Sequence, residues 1–277
     1  MNNIISIGPL AIYDALEKQH RFKPYAYGQI SPLVSPKGVI PPFQFIVPSK
    51  ISLASFSEVI AIRIDSDGKE LQQIDLTSIF NAAGRVTIKS STKDTNIYLR
   101  PTLDSHIVSQ LQAVGYYYLK IVVGQATYYS EIWASCQDIE NYLKLTYTNS
   151  YNLTIKGHQI YFGKDIFEGA IYLNTELGRP EYAFEETVTE RLGYSYIENQ
   201  VSKKRYRFSF IAPEYLLDAL RIVRLCNIKT CTTKEDTYDM LTFSIEPTWE
   251  EQGDLASVEA EFEVDNIIAN LGGSLIH

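Results

Sequence analysis

Residues 203–225 read KKRYRFSFIAPEYLLDALRIVRL, and the fold turns on this stretch. In an extended chain successive side chains point to opposite faces. Tyr206, Phe208 and Phe210 therefore line one face, and Arg205, Arg207 and Ser209 the other. Pro213 then suits the first turn of a helix, where its missing N–H costs no intrahelical bond. Beyond it Leu216, Leu220 and Val223 recur at helical spacing, widened by Leu217 and Ala219. Glu214 and Asp218 near the start, with Arg221 and Arg224 near the end, complement the helix dipole. Every signal agrees on a strand–helix unit, as in a β-sandwich carrying one packed helix.

The strand's charge has two readings. Lys203, Lys204, Arg205 and Arg207 beside aromatic rings would suit a phosphate track, but one strand is a weak signal. The chain's net charge of −8 repels phosphate. Specific nucleic-acid binding is therefore not expected. Arg205 and Arg207 are instead expected to meet carboxylates of a neighbouring strand or of a second subunit, such as the Glu181–Glu190 run. There Tyr182, Phe184 and Val188 roughly alternate with Glu181, Glu185 and Glu190. Arg205, Arg207, Glu181 and Glu185 are accordingly subunit-interface candidates.

Upstream, the pattern is of short strands. PPFQFIV, EVIAIRID, GRVTIKS, NIYLR, YYYLKIVV and ATYYSEIWA run apolar or alternate, with a turn signal at Asp67-Gly68. Residues 39–138 read as an immunoglobulin- or fibronectin-like sandwich. LDSHIVSQLQAVG at 103–115 is a short helix or a connection. Residues 139–277 read as the second sandwich, bearing the helix, with LKLTYTNSYNL, HQIYF, AIYLN, YDMLTFSIEPTWEEQ and LASVEAEFEVD supplying its other strands.

Residues 1–38 read as an extended arm. Leu10, Tyr13 and Leu16 fit one face of a short helix, but Pro24, Pro32 and Pro36 with Gly28 and Gly38 discourage regular structure. Such a segment is expected to lie along another surface, with Lys18, Arg21 and Lys23 meeting carboxylates there. From Glu246 to the end there are eight carboxylates and no Lys or Arg. A basic front and an acidic back suit head-to-tail association.

Composition restricts function. With 277 residues, 45% hydrophobic and 21% charged, the chain has enough for two globular domains. No apolar run approaches the ~20 residues that span a bilayer, so no membrane role is expected. Cys136, Cys226 and Cys231 fit neither a disulfide framework nor a zinc knuckle and read as reduced thiols made in a cytoplasm. His20, His106, His158 and His277 are scattered, and no P-loop, nucleophile elbow or dinucleotide fingerprint occurs. Glu185 and its neighbour Glu186 project to opposite faces of a strand and cannot flank one glycosidic bond. No enzyme activity, cofactor or metal is expected. The remaining alternative is a carbohydrate-binding or adhesion module of a virion or cell surface, with YYYLK and ATYYSEIW as stacking platforms.

The run IYLNTELGRPEYAFEETVTERLGYSYIENQVSKKRYRFSFIAPEYLLDALRIVRL, followed by FSIEPTWEEQGDLASVEAEFEVD, resembles virion proteins of phages and prophages of Bacteroides-type bacteria. More distantly, a β-sandwich with one flanking helix is similar to the tail-tube fold shared by tube and distal-tail proteins. The resemblance implies a ring-forming homo-oligomer, usually a hexamer in that family, whose sheets extend between subunits. It implies a virion location at the distal tail or baseplate hub, with other tail proteins as partners and DNA passing through the ring. The order departs from the family's, because the outer sandwich precedes the candidate ring domain.

Overall fold

The computed structural model describes residues 5–14, 33–47, 55–82, 85–99, 108–163, 167–191, 193–249 and 255–270. It is mainly β, with 61% strand against 7% helix, and the strands form several sheets.

In chain order the first strands are β1 (Ile5–Ile7), β2 (Ile12–Asp14), β3 (Val34–Pro36), β4 (Gln44–Val47), β5 (Glu58–Ile64) and β6 (Glu70–Asp75). A one-turn helix, α1 (Thr77–Phe80), precedes β7 (Val86–Ser90), β8 (Thr95–Leu99), β9 (Gly115–Val123), β10 (Ala126–Ser130) and β11 (Trp133–Cys136). One sheet runs β1-β4-β8-β7. It faces a second sheet built on β9, which carries β10 and β11 along one edge and β5, then β6, along the other. Phe45 of the first sheet meets Tyr128 of the second at 5.3 Å between ring centroids. Tyr117 and Trp133, both fully buried, stack at 5.8 Å.

The later strands are β12 (Leu143–Thr148), β13 (Leu153–Ile155), β14 (His158–Ile160), β15 (Gly169–Leu173), β16 (Glu181–Arg191) and β17 (Tyr194–Pro213). Helix α2 (Glu214–Leu225) follows, then β18 (Ile228–Thr232), β19 (Thr237–Asp239), β20 (Thr242–Trp249) and β21 (Leu255–Asn270). The series β19-β18-β12-β15 continues through β3 into β11, so a single eleven-stranded sheet passes the expected boundary at residue 138. Strand β3 is the seam, parallel to β11 over Val34–Pro36 and paired to β15 at Val34↔Tyr172. Buried residues from both halves, Ile7 to Phe262, share one large core, and Ile62, Ile64, Tyr118, Tyr129 and Ile132 form a second, small cluster. The hairpin β13–β14 adds polar bonds across the same boundary. Gln44, fully buried, donates Nε2 to the Tyr161 carbonyl and accepts the Tyr161 N–H at Oε1, each at 3.0 Å. Asn96 donates to the Gln159 carbonyl at 2.7 Å.

The described part of residues 1–38 corrects the expectation of an arm on another surface. β1 pairs with β4, β2 with β10, and β3 joins the two halves of the long sheet. Leu10, Ile12 and Leu33 are essentially unexposed. Proline and glycine break long elements, but three-residue strands fit between them. At Gly8, φ is +134° and a Cβ would lie 3.1 Å from the Phe43 Cα, so glycine permits the close approach. Tyr13 lies on a strand rather than a helix, and Leu16, Lys18, Arg21 and Lys23 lie outside the described residues.

Other details differ. ATYYSEIWA is two strands, β10 and β11, and residues 108–114 hold a turn rather than a helix. Pro213 is the N-cap of α2 rather than its first turn. The helix itself is as expected, with Leu216, Leu217, Ala219, Leu220, Ile222 and Val223 buried. It packs back on β20 and β17.

Candidate assembly surface

The fourth sheet runs β16-β17-β21-β20. Its strands are uneven: β17 has 20 residues and β21 has 16, while β20 has only 8. β20 begins pairing at Thr242↔Glu263, so β21 beyond Glu263 continues without it. β16 pairs with β17 from Arg205 up to the turn at Gly193. The result is a three-stranded extension of β16, β17 and the last part of β21, prolonging the sheet past a base of β17, β21 and β20.

Two faces run along this sheet. In the base, the inner face carries Tyr206, Phe208, Phe243, Val258 and Phe262, all buried. Tyr238 of β19 lies over it, 4.9 Å from Tyr206 and 6.5 Å from Phe262 between centroids. An extra residue in β21, Val264, interrupts the register between Lys204↔Asp265 and Arg205↔Glu263. Such a bulge bends a strand and increases its twist. Beyond it the inner face continues as Tyr182↔Lys204↔Asp265 and Phe184↔Ser202↔Ile267, then Glu186↔Gln200 and Val188↔Ile197. Here exposure is high: Tyr182 62%, Phe184 67%, Val188 54% and Ile267 70%. The apolar alternation outlasts the core that would cover it.

The outer face holds the charged candidates, and they pair within the chain. Arg205 donates Nε to Glu263 at 3.0 Å and lies 3.6 Å from Glu261. Arg207 donates Nε to Glu261 at 2.8 Å and lies 3.4 Å from Glu181. Lys203 donates to Glu185 at 2.6 Å. The hydrogen bond to Glu261, then the charge of Glu181, raise the Arg207 pKa above its ordinary value. The Lys203 hydrogen bond holds Glu185 below the usual carboxylate range. The carboxylates that answer Arg205 and Arg207 are thus those of neighbouring strands of the same chain. Adjacent strands lie ~4.8 Å apart, within reach of both guanidinium groups.

Sheet edges complete the surface. Where β16 stops, the loop before it caps β17: the Gly178 N–H donates to the Arg207 carbonyl at 2.8 Å, and Thr175 Oγ1 to the Ser209 carbonyl at 2.7 Å. A Cβ on Gly178 would sit 2.7 Å from that carbonyl oxygen, so glycine is needed for the cap. The far edge of β16 pairs with no strand among the described residues, nor does that of β21 beyond Glu263.

The other expected platforms are core. Tyr117, Tyr118, Tyr128 and Tyr129 are all 9% exposed or less, because both faces of β9 and β10 are covered. One cavity of about 520 Å³ lies along the β3 seam, lined by Tyr116, Tyr142, Tyr172, Asn174 and Phe210 among others. The three cysteines are free, and burial pushes Cys226 and Cys231 up to about 12. His158 Nδ1 lies 2.8 Å from Asp94 Oδ1, tying β14 to the β7–β8 turn. Among the described residues no group of three His, Cys, Asp or Glu is placed to hold a metal ion, and no helix is long and apolar enough to cross a membrane. Comparison with family models, with curated proteins and with solved structures gives no match.

Proposed function

We propose that this chain is a structural component of a phage tail, forming a ring at the distal tail or baseplate hub and joining the tube to neighbouring tail proteins. The observation that carries the reading is the sheet extension, with an apolar inner face exposed and, among the described residues, an unpaired strand edge on either side. A chain that bares such a surface can add copies head to tail, and heterologous addition closes into a ring when the rotation allows. The resemblance of residues 171–225 and 243–265 to virion proteins points the same way. In this reading residues 39–138 and 139–277 are two sandwiches sharing a seam, and the second, with α2, is the ring-forming unit. The two sheets on either side of Phe45 and Tyr128, and the packing of β19 on β17 and β21, support that division. The protein is made in the host cytoplasm and ends in the virion; its role is mechanical, without catalysis. The acidic stretch after Glu246 is suited to a channel through which DNA passes without adhering.

Electron microscopy of the purified protein, with mass photometry across concentration, tests the reading. Closed rings of one defined copy number are expected. A strictly monomeric protein at every concentration, absent from purified virions, overturns it.

A second reading, a carbohydrate-binding module, is favoured by the seam cavity. Its volume suits a small ligand, and Tyr116, Tyr142 and Tyr172 offer rings while Asn174 offers hydrogen bonds. Binding on a glycan array that is lost in Tyr172→Ala, in a monomeric protein, would select this reading over the first.

A further inference from the structure

We propose that the uncovered inner face of the extension docks on a second copy of this chain, at the patch formed by Tyr151, Leu225, Ile228 and Leu241, in a heterologous contact. The inference rests on the self-assembling reading above and names its interface. Tyr182, Phe184, Val188 and Ile267 share one sheet face and together bare an area on the order of 400 Å², the size at which a monomer's largest patch is usually functional. This face is the prolongation of a core face, so its sequence pattern is that of a buried surface.

The receiving patch lies beside the foot of the extension, where the Leu241 N–H donates to the Glu263 carbonyl at 2.8 Å. Tyr151, Leu225, Ile228 and Leu241 are 57%, 56%, 51% and 52% exposed. Pairing gathers them at one end of the long sheet. Ile228 sits opposite Thr148, and Asn227 bonds through its side chain to Ser150, next to Tyr151. Met240, next to Leu241, donates its N–H to the Lys229 carbonyl at 3.0 Å. Leu225 ends α2, two residues before Asn227.

Charge decides which surface meets which. Glu186 and Glu190 flank Val188 on the stripe's own face and form its acidic rim, hydrogen-bonded to the neutral side chains of Gln200 and Ser195, while Lys204 and Asp265 lie on that face at its foot. Two stripes packed face to face would bring these carboxylates together. Like charges in a closing interface oppose it, which disfavours a two-fold dimer. The receiving patch has Arg221 and Arg224 beside Leu225, both exposed, the first also 3.3 Å from Asp218. Asp239 is the opposing charge near Leu241. Apolar meets apolar, and the acidic rim meets the arginines at the end of α2. A contact between two different patches repeats from copy to copy, as a ring or stack requires.

The test uses two full-length double variants, Phe184→Ser with Val188→Ser and Ile228→Ser with Leu241→Ser, measured by mass photometry, with circular dichroism to verify folding. All four positions are more than half exposed, so both variants are expected to fold. Each alone should fall to monomer. An equimolar mixture should give heterodimers and nothing longer, because one intact stripe then meets one intact patch. Assembly of either variant like the parent overturns the proposed contact, and rings in the parent would then leave the ring reading standing. A mixture that stays monomeric overturns the pairing of these two patches. A parent that never associates overturns the contact and the ring together.

Discussion

The base and the extension of the β16-β17-β21-β20 sheet share two strands and one alternation, yet they differ in what lies over them. In the base Tyr206 and Phe208 of β17 are 7% and 4% exposed, under Tyr238 and α2. Past the bulge at Val264 the same face offers Phe184 at 67% and Ile267 at 70%. The difference teaches that an apolar stripe records a need for cover and does not say where the cover comes from. In the base it comes from a helix and a sheet of the same chain. Along the extension the stripe is left exposed, while on the outer face Arg205 and Arg207 are paired with Glu181, Glu261 and Glu263.

The largest effect should come from breaking the base. Leu220→Asp places a carboxylate at a fully buried position in α2. A loss of about 4 kcal/mol or more is expected, as for other unpaired buried charges. Urea unfolding followed by circular dichroism measures it. A variant that remains as stable as the parent would show that α2 does not cover the sheet.

Alkaline pH should act on the body. Cys226 and Cys231 are raised in the fold by burial, so the folded state keeps protons that the unfolded chain releases above about pH 9. The stability they contribute is full below that pH and falls as pH rises toward about 12. By linkage the loss is on the order of 2 kcal/mol per thiol at pH 11. A pH series of unfolding midpoints should therefore decline above pH 9, and Cys226→Ala should flatten the decline. Equal slopes in parent and variant would remove the thiol from the account.

The outer ladder should sit between the two regions. Arg205→Glu with Arg207→Glu leaves Glu263, only 8% exposed, among like charges instead of a guanidinium. A cost of about 2 kcal/mol to the monomer is expected, since exposed pairs contribute little and the part-buried one more. The sequence reading left these arginines to a neighbouring strand or to a second subunit, and a subunit contact alone would spare the fold. The pairing found within the chain predicts a lowered melting temperature in dilute, dissociated protein.

The smallest effect on stability should be at the extension. Ile267→Asp, at a position 70% exposed, should change the monomer's unfolding free energy by less than about 0.5 kcal/mol, as surface substitutions do. It should nevertheless weaken association, read by mass photometry at matched concentrations. Lost stability without lost association would place Ile267 in the chain's own core.

Much of the base was legible because its signals are local. The alternation of Tyr206 and Phe208 with Arg205 and Arg207, and the helical spacing of Leu216, Leu220 and Val223, each lie within a few residues of chain. Strand β6, Glu70–Asp75, was missed because one of its six residues is buried and the others, four of them polar, are exposed. The strands of residues 1–38 were missed because three-residue pieces between Pro and Gly carry no period. Tyr182, Phe184 and Val188 were visible as an alternating stripe, and their exposure was not.

Backbone geometry and side-chain polarity by themselves determined the mainly β character, the strand–helix unit and the faces of β17, since these depend on the period of a strand or a helix and on neighbours in sequence. Tertiary structure alone decided three matters. It decided that β3 links β11 to β15 into one long sheet, that Arg205 and Arg207 spend their charge on Glu181, Glu261 and Glu263, and that the sheet's inner face ends uncovered. Each depends on which segments distant in sequence come within ~5 Å, and hydrogen-bond register and burial, which no local pattern encodes, settle that.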